Sequence, residues 1–489
     1  MVNTTLSRNG YKIKKNDLSS TQLKTIKDDL TVNPYVVGDF GNGNEKRFSL
    51  YMESPNSIYL PRFYAYDQFG QPNQSKMDEG QDIKINFNGS LRSEQLPIID
   101  LYRVACEEKG GGLISLKCGG GKTVLALYII SMLKKKTIVI VHKDFLMTQW
   151  RDRIQQFLPE ARIGKIQQNT IDIVDKDIVL AMVQSLSQKE YDQSVFSSFG
   201  LAIFDECHHL GAEVFSKSMA KVASKYMLGL SATPDRKDGL RKVFEWYIGP
   251  MVYSSKSDKQ EDYIETRIYE YTNDDHQYSK IDKVYTKNGP KPCMPKMINN
   301  ISDCIHRNLF INDLIKTEYE KGRKILVLGD RREYLNRTEK WIKDNIGPNI
   351  VGQYVGGMKP AELRDSQEKD IILGTFSMAS EGMDIPKLNT IILASPKSDV
   401  VQSVGRILRE KASVRQFHPL VIDILDTHPN LTLFSKQCDK RIKYYKKSNH
   451  DIHMYYMDGS KEKIEKIKRK SNKKNKKEIY EIKECLIED

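Results

Sequence analysis

A chain of 489 residues with 77 basic and 64 acidic side chains, net +13, is too long for one ordinary domain, and two to four are expected. Hydrophobic residues make up 39%, enough for real cores, yet apolar runs such as 137–141 and 391–394 are strand-length and the polar, Lys-rich start holds no leader-like apolar stretch; an intracellular, soluble protein is expected rather than a membrane or secreted one. The seven cysteines form no CxxC pair and no Cys/His ladder, which argues against a disulfide framework and against zinc.

In chain order, residues 1–88 hold no chemistry-bearing motif. A helix over Thr21–Leu30, aromatic-rich strands around Arg47–Tyr51 and Ser57–Tyr66, and a polar stretch at Gly70–Asp82 predict a separate small α+β module. From Leu91 the pattern becomes strand–helix alternation. Apolar runs at Leu113–Cys118, Thr137–His142, Asp177–Met182, Leu201–Phe204 and Tyr226–Leu230 alternate with helical stretches such as Lys122–Leu133 and Phe145–Phe157. Near-continuous apolar strands between helices mean a parallel sheet covered on both faces, here over 89–255. The charged, Tyr-rich segment 256–299 reads as connector plus insertion. A second series, Lys324–Gly329, Ile350–Val355, Asp370–Gly374, Thr390–Ala394 and Pro419–Ile424, predicts another α/β domain over 300–445, and 446–489 reads as a charged tail.

Polar groups fall at the strand ends. Gln95 precedes the first strand and can pair with an adenine edge. Gly119, Gly120 and Gly121 let the backbone wrap a phosphate at the start of a helix, where Lys122 would reach the β- and γ-phosphates of ATP and the Thr123 hydroxyl would meet Mg²⁺. The glycine that a full phosphate-loop pattern wants is replaced by Leu116. His142 and Lys143, then Gln184 and Ser185, close the next strands and suit sequence-independent contacts with a nucleic-acid backbone. Asp205 would hold Mg²⁺ through water, Glu206 would polarise the attacking water, and His208 would sense the nucleotide; Ser231 and Thr233 would bridge that site to the second domain.

In the second domain Arg331 and Thr375 are further backbone candidates, and Gly382 and Asp384 could touch the nucleotide. Gln402, Arg406 and Arg409, spaced four and three apart on an apparent helix, share one face and suit a γ-phosphate. Residues 461–477 hold ten Lys/Arg against two Glu, +8 of the +13, and read as a solubilising tail, a tether for DNA or a localisation signal. The strings 116–123, 205–209 and 402–409, in this order, point to an ATP-driven nucleic-acid motor.

These strings resemble those of the DExH-box superfamily-two helicases over about 90–430. The block Ser231-Ala-Thr-Pro-Asp-Arg-Lys-Asp-Gly-Leu240, with Trp246 and Ile248-Gly249-Pro250, is similar to the branch holding the TFIIH translocase XPB and the poxvirus-type transcript-release DNA helicase. Asn33-Pro34, Ser57-Ile-Tyr-Leu-Pro-Arg-Phe63 and Phe69-Gly70 are similar to the helicases of large nucleocytoplasmic DNA viruses. The resemblance implies two tandem RecA-like domains, DNA-stimulated ATPase activity, 3′-to-5′ translocation, and a viral protein of transcription in the host cytoplasm or virion, with the transcription machinery as partner. DNA is favoured over RNA. An RNA helicase, or a duplex translocase that separates no strands, remains open, and a scaffold would not need Lys122, Asp205, Glu206, Arg406 and Arg409.

Overall fold

The structure, a computed structural model, describes residues 3–32, 47–116, 119–206, 212–231, 241–255, 263–286, 289–381, 383, 385, 387–410 and 414–464. The chain forms two compact units, Met1–Lys259 with Ser377–Asp384, and Gln260–Phe376 with Ile385–Asp489.

The main sheet of the first unit runs Thr170–Asp172, Ile163–Gln167, Ile178–Met182, Thr137–Val141, Leu201–Asp205, Tyr226–Ser231, Gly111–Ser115, Met251–Ser254. Every neighbouring pair is parallel except the edge hairpin of the first two. Side chains of a strand alternate between faces, and here both sets are apolar. Ile138, Ile140, Val179, Ala181 and Phe204 enter one core, while Val139, Val141, Ile178, Leu180 and Ile203 enter another. That double burial is why these strands read as unbroken apolar runs. The helices Lys122–Leu133 and Asp144–Phe157 lie where periodicity places them. The strands Ile163–Gln167, Thr170–Asp172 and Met251–Ser254 escape the pattern because they lie at or next to the sheet edges and alternate burial or stay half-exposed.

The N-terminal module is not separate. Its sheet of Met52–Glu53, Ser57–Leu60, Gly10–Lys14, Thr4–Ser7 and Gln74–Ser75 contributes Leu6, Tyr11, Ile13 and Ile58 to the core that holds Ile138 and Phe204. Tyr64 meets Trp246 edge-to-face at 5.4 Å, Tyr247 Oη donates to the Leu50 carbonyl at 2.8 Å, and Arg62 donates to the carbonyls of Lys225 (2.8 Å) and Lys109 (2.6 Å). Of the expected long strand Ser57–Tyr66 only Ser57–Leu60 is strand; Pro61 caps the helix Arg62–Phe69.

The second unit repeats the plan: Val351–Tyr354, Ile371–Gly374, Ile325–Leu328, Thr390–Leu393, Leu420–Asp426, Glu265–Tyr271, Asp451–Tyr455, Lys461–Ile464, all parallel except the last pair. The segment 256–299 is thus more than connector: Glu265–Tyr271 pairs over seven residues with Leu420–Asp426. Its charges hid it, since Glu265 and Arg267 alternate with Thr266 and Ile268, and Arg267 pairs with Glu318 at 2.9 Å. Likewise Asp451–Tyr455 and Lys461–Ile464 extend the sheet into the stretch read as tail. Both units are α/β with parallel sheets, the architecture of two RecA-like domains.

Behind the Leu420–Asp426 strand, His450 is buried, stacked on Tyr445 (5.1 Å between rings), with Nδ1 2.8 Å from the Thr266 hydroxyl. Burial holds its pKa down near 4. The unfolded chain therefore takes up the proton first, at the ordinary histidine value near ~6.5, so stability falls as the pH drops from about 7 to about 4, by about 3 kcal/mol. Urea midpoints of the native chain and His450→Asn should accordingly converge as pH falls through this window; parallel losses would refute the assignment.

Candidate functional site

Strand order builds the site. Leu201–Asp205, Tyr226–Ser231 and Gly111–Ser115 are adjacent and parallel, so their carboxyl ends meet at one edge, where open α/β sheets bind ligands. Leu116 N donates to Ser231 O at 3.0 Å, which brings Ser231 beside the phosphate-loop strand.

Gly119 and Gly121 have φ of +77° and +75°, left-handed backbone that L side chains resist. A Cβ on Gly121 would lie 2.6 Å from Gln95 Nε2. The helix Lys122–Leu133 begins there, with its positive end at the loop. Gln95 is buried, its Nε2 donates to Gly120 O (3.2 Å) and Gly121 O (3.3 Å), and its Oε1 accepts from Arg92 N (3.0 Å). Arg92 Nη1 adds a bond to Gly119 O at 3.2 Å. Gln95 therefore braces the loop.

Lys122 Nζ lies 2.6 Å from Glu206 Oε1, and Trp150 Nε1 donates to Asp205 Oδ2 at 2.8 Å. Burial, then the neighbouring Glu206 carboxylate, push the Asp205 carboxyl up to about 6, against the pull of Lys122, Trp150 and His142. Glu206 holds φ of +49°, a non-glycine in the left-handed region at a cost of about 1–2 kcal/mol, the kind of strain found at functional turns. Two carboxylates against one ammonium, at the turn of left-handed glycines that opens the helix Lys122–Leu133, fit a dication with a phosphate. Trp150 carries no motif; its signal is only that Thr137–Val141, the strand before its helix, neighbours Leu201–Asp205.

The backbone-contact candidates have internal partners. His142 is buried and its carbonyl accepts from Gln184 Nε2 at 2.8 Å; Ser185 is buried and accepts from Gln168 N at 2.9 Å. Lys143 caps the helix Asp144–Phe157. In the second unit Arg331 donates to Pro295 O at 2.8 Å and bonds Asn299, while Thr375, half-buried, follows Ile371–Gly374. The helix expected to carry Gln402, Arg406 and Arg409 is a single turn, Val401–Val404, continued by a 3₁₀ turn, Gly405–Leu408, and Arg406 is buried. His208, Thr233, Gly382 and Asp384 lie outside the described residues, as do Cys118, Cys207, Asn33-Pro34 and 465–489. No helix among the described residues is long and apolar enough to cross a membrane.

Residues 88–236 match the family described as type III restriction enzyme, res subunit, and 306–411 match the helicase conserved C-terminal domain. The chain is 37% identical over 470 residues, 95% of its length and 89% of the relative's, to a candidate ATP-dependent RNA helicase of Acanthamoeba polyphaga mimivirus. It is 26% identical over 401 residues, 75% of its length and 83% of the relative's, to a candidate helicase of Invertebrate iridescent virus 6. Over 146 residues, 29% of the chain and 31% of the relative, it is 37% identical to a DNA 3′-5′ translocase of Sulfurisphaera tokodaii.

Proposed function

We propose, for a chain that belongs to the superfamily-two helicases and hydrolyses ATP to act on nucleic acid, that its substrate is DNA and its task the transcription of a large DNA virus. The observation that carries the motor is the assembled edge of the first sheet: left-handed glycines, Lys122 paired to Glu206, and Asp205 held by Trp150. Lys122 is the cation that can leave Glu206 for the β- and γ-phosphates, freeing Glu206 to orient the attacking water. Magnesium, when bound by Thr123 and Asp205, supplies the charge that neutralises the phosphates. Gln95 would tie adenine occupancy to the loop it braces, and Ser231, Thr233 and His208 would report the nucleotide state. To Gln402, Arg406 and Arg409 we assign the γ-phosphate charge, and to Gly382 and Asp384 further contacts with the nucleotide. His142, Lys143, Gln184, Ser185, Arg331 and Thr375 are assigned to the nucleic-acid backbone.

The likeness to a DNA translocase supports DNA, and with it 3′-to-5′ movement. A second reading, RNA, is favoured by the name of the mimivirus relative. ATP turnover measured with no nucleic acid, single-stranded DNA, duplex DNA and RNA, beside Lys122→Ala, separates them. Stimulation by DNA over RNA, absent in Lys122→Ala, is expected. Stimulation by RNA alone would move the chain to transcript handling, and duplex stimulation without strand separation would make it a translocase only.

A further inference from the structure

Between the strand Glu265–Tyr271 and the helix Met294–Asp303, the second unit carries a two-stranded hairpin that belongs to neither eight-stranded sheet. Lys283–Thr286 pairs with Gly289–Pro292 in the register Lys283 to Pro292, Val284 to Lys291, Tyr285 to Pro290; residues 287–288 lie outside the described residues. Its root is fixed: Cys293 N donates to Asp282 O at 2.6 Å, and Asn300 Nδ2 donates to Asp282 Oδ2 at 2.7 Å. The ring of Tyr285, by contrast, is 85% exposed, and Val284 is 44% exposed.

A bare two-stranded hairpin is marginal in water, and this one holds Tyr285 out to solvent. Residues directly opposite share a face, so Lys283, Tyr285, Pro290 and Pro292 form one plate, a tyrosine beside prolines with a lysine at its margin. Among the described residues of 280–296, Lys280, Lys283, Lys291 and Lys296 stand against a single acid, Asp282. Two features decide what such a plate takes. Pro290 and Pro292 have no N–H, so that edge cannot donate to an added β-strand, which disfavours a peptide extending the sheet. The charge favours a polyanion, and an exposed ring among cations is how proteins grip a single nucleic-acid strand without reading its sequence.

We propose that this hairpin grips a single nucleic-acid strand, the Tyr285 ring stacking on a base while the surrounding lysines meet phosphates. The proposal rests on the helicase reading and deepens it, since none of the backbone candidates above supplies an aromatic contact. The test is the affinity of the full chain for a fluorescent single-stranded oligonucleotide, as DNA and as RNA, and for a duplex, in the native chain, Tyr285→Ala and Tyr285→Phe, with thermal melting as the check of fold. Tyr285→Ala should weaken single-strand binding about tenfold, Tyr285→Phe should stay within about twofold of native, and duplex binding should change little. Equal single-strand affinity for Tyr285→Ala and the native chain would overturn the hairpin assignment while leaving the helicase reading intact. A native chain that binds no nucleic acid would overturn both.

Discussion

Glu206→Gln is expected to lower ATP turnover by about 10²–10⁴-fold while leaving the fold untouched. The amide keeps an oxygen for Lys122, now 2.6 Å from Glu206 Oε1, but can no longer accept a proton from a water. It also removes the negative neighbour that, after burial, does most to push Asp205 up, so no stability should be lost. Lys122→Ala differs instructively. It abolishes turnover too, yet leaves Asp205 and Glu206 side by side without their cation, and should lower stability by about 1–3 kcal/mol. Steady-state ATPase assays beside thermal melts check both. Wild-type turnover in Glu206→Gln would remove that residue from the chemistry.

The largest stability effect should come from Arg307→Ala. Arg307 and Asp426 form a doubly hydrogen-bonded pair at 2.7 and 2.9 Å, each about 1% exposed, with Tyr278 Oη donating to the same carboxylate at 3.0 Å. Removing the guanidinium strands a buried carboxylate with one hydroxyl, at about 3–5 kcal/mol, or roughly 10 °C in the transition of the second unit. Replacing both partners, Arg307→Met with Asp426→Leu, should recover most of the loss, because neither charge is then left buried alone. Calorimetry of the two variants decides it: a double variant as unstable as the single one would mean the pair does more than cancel itself.

Much of this was legible in the residues. Buried parallel strands announce themselves because both faces are apolar, so Thr137–Val141 and Ile371–Gly374 were within a residue or two of their observed ends. The strand-to-helix turn before Lys122 was legible because glycines between an apolar run and a helical stretch mark such a turn locally. What stayed hidden depends on partners far away in sequence. Glu265–Tyr271 looks like a charged linker until Glu318 supplies a partner for Arg267. Trp150 becomes a support for Asp205 only through the strand order of the sheet. Gln95 was read for adenine, while its bonds to Gly120 and Gly121 follow from a turn whose shape no local pattern displays.

The core shared by the N-terminal module and the first main sheet has a consequence for inheritance. Leu6, Tyr11, Ile58 and Tyr64 share one core with Phe244 and Ile248 of the helix Arg241–Ile248, which packs on the first main sheet. The ATP-binding half is therefore not a cassette beginning at residue 89. Recombination between related motors that moved that half without the first 88 residues would deliver an uncovered apolar wall, and such chimaeras should be purged before any question of activity arises.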